Sequence, residues 1–186
     1  AGQSTLLTNY ALPTLASGTI GTITPKPLTA SLTGTTSRIY DGSTTASLAS
    51  TNYVLAGFVQ GESATVNQTT GLYLSPNVGT GITVDATLGT GDFTAGQSTL
   101  LTNYALPTLA SGTIGAITPK QLTASLTGTT SRVYDGTTAA ALTSSNYQVD
   151  GLVKGESITI TRIVGTYASP DAGNAIGVIV SGSAFT

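Results

Sequence analysis

AGQSTLLTNYALPTLASGTIG occupies residues 1–21 and returns, letter for letter, at 95–115. The match runs on through ITPK (23–26 and 117–120), LTASLTGTTSR (28–38 and 122–132) and YDG (40–42 and 134–136). Over residues 1–48 the copies differ at positions 22, 27, 39, 43, 45 and 47 alone. Beyond that they diverge but keep landmarks: Asn52/Asn146, Tyr53/Tyr147, Gly61/Gly155, Glu62/Glu156, Tyr73/Tyr167 and Pro76/Pro170. GDFT (91–94) aligns with SAFT (183–186), so the units are 94 and 92 residues long. A period above 90 is too long for a solenoid coil and suits a tandem array of small domains.

The unit reads as all-β. LTASLTG alternates Leu28, Ala30 and Leu32 with Thr29, Ser31 and Thr33, the period of a half-buried strand. Residues 62–74, 81–88, 98–107 and 111–118 are further strand candidates, as is the copy ESITITRIVGTYA at 156–168. TGTTS, YDG, SPNVGTG and GTGD supply turn chemistry between them. No segment carries the 3.6 period and caps of a helix. About seven short strands per unit is the profile of a small Ig-like β-sandwich, repeated along an elongated stalk. β-grasp-like repeats are the alternative.

The repeat frame need not be the domain frame. Pro25, Lys26 and Pro27, and Pro119 with Lys120, read as junctions, because proline interrupts a continuous ladder. On that reading, 1–24 are closing strands of a preceding repeat, 25–118 is a complete repeat, and 119–186 is a repeat lacking its last strands. The two ends are then expected to complement each other, within the chain or between molecules. The chain reads as a piece of something longer, with its targeting signals elsewhere.

Composition removes much chemistry. Cys, Met, Trp and His are all absent. No disulfide, no Ser-His-Asp or Cys-His system and no zinc or haem site of the usual ligands can be built. Charged residues are 8%, against about 25% in ordinary domains, and the net charge is −2. Nucleic acid and membrane insertion are therefore not expected. Thr makes up about a fifth of the chain, which favours hydrated strand faces. No catalytic, cofactor-binding or metal residue is assigned, and no enzyme is expected. The acids Asp41, Glu62, Asp85 and Asp92 are scattered through the first unit and match no calcium loop. Tyr40-Asp41-Gly42 and Tyr134-Asp135-Gly136 read as structural turns, with Asp bonding nearby backbone N–H groups and Gly at positive φ. Lys26 and Lys120 read as solvated, and the Asn67-Gln68-Thr69 glycosylation pattern, absent from the second copy, as chance.

The order K-x-LT-x-SLTGTTSR-[IV]-YDG, then GES, SP-x-x-G, TNYALP and ITPK, resembles the YDG-type repeats of large bacterial surface adhesins. These are the filamentous-haemagglutinin-like, two-partner-secreted and biofilm-matrix adhesins. The second unit departs from their NVG stretch, with DAG at 171–173. The resemblance implies an extracellular stalk repeat that spaces a binding tip from the cell or bridges matrix. Its partners would be neighbouring repeats of the same chain or molecule, with matrix glycan as a further candidate. The rival readings are a glycan- or matrix-binding module, using the divergent stretches 49–92 and 143–186, and a self-assembling fibre subunit.

Overall fold

The computed structural model describes residues 6–182 and Phe185. Strands dominate, in several sheets, and the only helical elements among the described residues are 3-10 turns of three residues. The chain is predominantly β, as its periodicity implies.

Residues 26–118 carry eleven strands. They are β1 (Lys26–Pro27), β2 (Thr29–Leu32), β3 (Thr36–Ile39), β4 (Thr45–Ser47), β5 (Tyr53–Ala56) and β6 (Ala64–Val66). Then follow β7 (Thr70–Tyr73), β8 (Gly79–Thr87), β9 (Phe93–Ala95), β10 (Tyr104–Ala105) and β11 (Leu109–Thr118). The main sheet has the order β4-β7-β8-β11-β2-β5, with β3 also on β11. β11 is its keystone: antiparallel to β8, it is parallel to both β2 and β3. The sheet is therefore mixed. Two small ladders, β1-β10 and β6-β9, complete the set.

The core follows the alternation. Leu32, Ala46, Leu48, Val66, Tyr73, Val84, Ala86, Phe93, Ala110, Ile114 and Ile117 form one buried cluster. β11 supplies Ala110, Ile114 and Ile117 to it, and its ladder with β8 is irregular around Gly112 and Gly115. Those glycines are required by close approach. A Cβ on Gly115 would lie 2.5 Å from Tyr73 Cε1, and one on Gly112 would meet the Leu32 carbonyl.

Residues 123–179 repeat these ladders at an offset of 94, in β12 (Thr123–Leu126), β13 (Ala139–Ala141), β14 (Tyr147–Asp150), β15 (Val164–Tyr167) and β16 (Val178–Ile179). β12 pairs with β14 as β2 does with β5, and β13-β15-β16 follows β4-β7-β8. Register is kept: Leu72 faces Asp85, and Thr166 faces Ile179. Even the positive φ of Gly81 recurs, at Ala175 (65° and 54°). The second unit is the less complete: among the described residues it has no counterpart of β3, and the β6-β9 ladder is reduced to one bridge, Ile160 to Phe185. Among the described residues no strand joins β12 to β16, so the counterparts of the first unit's main sheet form two separate sheets.

The structure is more broken than the periodicity implies. The 62–74 run divides into β6 and β7 because Asn67 and Gln68 turn the chain. The Asn67 N–H bonds the Asp92 carbonyl, and Gln68 Oε1 accepts the Thr70 N–H. In 98–107 the Leu101–Asn103 turn leaves only the two residues of β10 extended. The 156–168 run keeps an isolated bridge from Ile160 to Phe185, and then β15. Pro27 lies within β1 rather than ending a ladder. It donates nothing, and the next N–H, of Leu28, continues the pairing to the Ala105 carbonyl at 3.0 Å.

Candidate functional site

Both YDG segments form the same local structure. Asp41 Oδ1 accepts the Ser43 N–H at 2.8 Å, and Asp135 Oδ1 the Thr137 N–H at 2.9 Å. Gly42 and Gly136 sit at φ of 78° and 75°, the left-handed region that glycine enters without strain. The N–H and then the hydroxyl of Thr137 hold the Asp135 carboxyl below the usual carboxylate range, with Arg132 adding to this. Arg38 pairs with Asp41 and donates to the Thr45 carbonyl; Arg132 pairs with Asp135 and donates to the Ala139 carbonyl. Each arginine thus ties its YDG turn to the strand that follows. In the sequence both arginines close the SLTGTTSR stretch, which by itself names no partner for them.

The tyrosines behave differently. The Tyr40 N–H bonds the Thr118 carbonyl at the end of β11, and its ring packs on the core cluster. Tyr134 is exposed. The cause is β11: among the described residues of the second unit no equivalent strand is paired there to hold residues 130–133 and Tyr134.

The GES loops are a second repeated feature. Tyr104, buried in the first unit, donates its hydroxyl to Glu62 and accepts the Val59 N–H at 3.1 Å. Phe58 packs edge-on to it at 5.0 Å. In the second unit, Glu156 receives the hydroxyl of Tyr40. A Cβ on Gly42 would lie 3.1 Å from Val153 Cγ1. The first YDG turn therefore sits on the 151–156 loop, and the two units touch through Tyr40, Gly42, Val153 and Glu156. Glu62 and Glu156 appeared in the sequence as scattered acids. Glu62 takes the tyrosine of a TNY segment and Glu156 that of a YDG tripeptide, partners that lie 42 and 116 residues away in the chain.

The remaining sequence candidates are simply placed. Pro25, Lys26, Pro119 and Lys120 are exposed, Pro25 before β1, Lys26 in it, and the other two between β11 and β12. Among the described residues no cluster of three His, Cys, Asp or Glu could hold a metal, and no helix is long and apolar enough to cross a membrane.

The family model described as YDG domain matches residues 24–111 and 118–186. The chain belongs to the YDG domain family. Comparisons with curated proteins and with solved structures found no match. The two matched stretches of this YDG-domain chain follow the two sets of ladders, and the tripeptide Tyr40–Gly42 lies at the contact between them.

The hydrogen bond to Glu62 holds the Tyr104 phenol above its ordinary value, and the Glu156 bond does the same for Tyr40. A raised folded-state value means that the folded form keeps its proton longer than the unfolded one. This stability is complete below about pH 10 and is lost as pH rises through the folded value. Alkaline titration of folding, followed by circular dichroism, should therefore show stability falling above about pH 10. Tyr104→Phe should shrink that fall and lower the denaturation midpoint at neutral pH, through the lost hydrogen bond and the unpaired Glu62. An unchanged alkaline limb would remove Tyr104 as its source.

Proposed function

We propose that this chain is a structural spacer in the stalk of an extracellular bacterial adhesin, built from sandwich-like repeats set in a row. It projects a binding tip or bridges matrix, and assigns no residue to catalysis. One observation carries the reading: the YDG turn of the first unit is seated on the GES loop of the second, the kind of contact that repeats stacked in a row require. Backbone ladders and small cores then bear load, and repeat number sets reach. The surface suits the task, since few charges and many threonines leave it hydrated and close to neutral. The absence of Cys and Met leaves few oxidation targets outside the cell.

Small-angle scattering at low concentration tests this. The expected profile is a rod with the cross-section of one small unit. A radius of gyration near the roughly 16 Å of one compact 186-residue domain would sink the spacer reading. The measurement is best made on Ile20→Asp/Ile23→Asp, whose altered residues are solvent-exposed and lie outside both sets of ladders.

A further inference from the structure

Six strands of the first unit line up one residue each. Thr45 on β4 pairs with Leu72 on β7, Leu72 with Asp85 on β8, and Asp85 with Ser111 on β11. Ser111 pairs in turn with Ser31 on β2, and Ser31 with Val54 on β5. The row crosses the whole main sheet. Its chain neighbours Ala46, Tyr73, Val84, Ala110 and Leu32 are buried in the core, so alternation turns the row outward. Leu72 is 55% and Val54 46% exposed. The flanking positions Thr29, Thr70, Thr87 and Leu109 are exposed as well.

Asp85 is the only charged residue in these six strands. The ion pairs among the described residues, Arg38 with Asp41 and Arg132 with Asp135, leave it out. Only the Ser111 hydroxyl meets it, donating to Oδ1 at 2.5 Å. The strand itself does not need this acid. Aspartate is a poor strand former. At the matching position of the second unit stands Ile179, in the same register: it faces Thr166 as Asp85 faces Leu72. A carboxylate at the centre of a face otherwise made of hydroxyls and aliphatic carbons has a reason outside the fold.

We infer that this face fits the same face of a second copy of this chain, and that the charge of Asp85 holds the two apart. Sheets stack with large side chains set between small ones, and Leu72 and Val54 share the row with Thr45, Ser31 and Ser111. The row carries no cation for a phosphate and no aromatic ring for a sugar. Asp85 and Ser111 are its two middle residues. A twofold contact centred there brings the two Asp85 carboxylates within about one strand spacing, ~4.8 Å, of each other along the row. Like charges so placed repel strongly. Size makes that repulsion decisive. Six strands of about four residues present roughly 400 Å² per copy, so the pair buries about 800 Å², short of the about 1,200 Å² of a stable complex. A contact that weak forms only without an unpaired charge at its middle. The inference does not depend on the spacer reading, because it concerns the side of one unit.

Sedimentation equilibrium of the full chain over a concentration series tests it. Asp85→Asn keeps the shape of the side chain and an acceptor for Ser111. It should self-associate on the order of a hundredfold more tightly than the unaltered chain. Its mass should climb from 18.5 kDa to that of a dimer and stop, since a twofold contact closes on itself. Asp85→Ile, with the residue of the second unit, should do the same. Adding Leu72→Lys to either variant returns a charge to the row and should restore the unaltered behaviour. Asp150→Asn removes the same charge from the exposed end of β14 and should change nothing. Three results would overturn the proposal. They are Asp85 variants that associate no more tightly than the unaltered chain, the same gain from Asp150→Asn, and an unaltered chain whose dimer Leu72→Lys abolishes.

Discussion

Gly115→Val should cost the first unit roughly 3 kcal/mol, the upper end of the usual penalty for overpacking, while Gly21→Val costs it nothing. The two residues occupy the same place in identical sequence. On β11 the added carbons would press into the Tyr73 ring and the Ile82 carbonyl; on residues 6–24 they would meet open space. In a unit of this size the loss lowers the melting temperature by roughly 12–24 °C. Calorimetry on dilute samples reads both variants, and exchange of the β8 amides assigns the transition. Equal effects at the two glycines would mean that residues 6–24 are also packed as a strand in the dilute chain.

Tyr73→Ala should be the most costly single truncation. Tyr73 is 2% exposed, pairs with Val84 in the middle of the main sheet and packs against β11. Removing a buried aromatic side chain costs about 3–5 kcal/mol, the transfer and cavity contributions together. The matching change, Tyr167→Ala, should cost only about 1 kcal/mol, because Tyr167 is half-buried and borders a cavity of about 510 Å³, with Arg132 over its ring at 5.6 Å. Denaturant midpoints of the two variants measure the contrast. A similar cost at both sites would show that the second unit packs its core without a strand between β12 and β16.

Much of this was legible in the residues. Alternation in LTASLTG marked β2, and the copy marked β12. The 94-residue offset carries the pairing register from one unit to the other, because side chains that alternate with period two resist a slip of one residue. The Asp and Gly of each YDG tripeptide imply the local turn that both copies adopt. What periodicity could not supply was partners. Nothing in alternation says that β11 runs parallel to β2 and β3, or that Glu62 and Glu156 receive tyrosine hydroxyls from distant segments. The clamps made by Arg38 and Arg132 were equally hidden, since their carbonyl acceptors lie on the next strand.

Residues 6–24 and 100–118 divide the two kinds of information. The sequence by itself determined that there are two units, that both are β, and which residues any strand at these positions would turn inward. Only the tertiary structure decided that 109–118 is a buried keystone while its twin at 15–24 lies exposed. The physical reason is that a strand is not a local object. Its backbone N–H and C=O groups and its isoleucines are satisfied by neighbouring strands, and β2, β3 and β8 surround only one of the two copies.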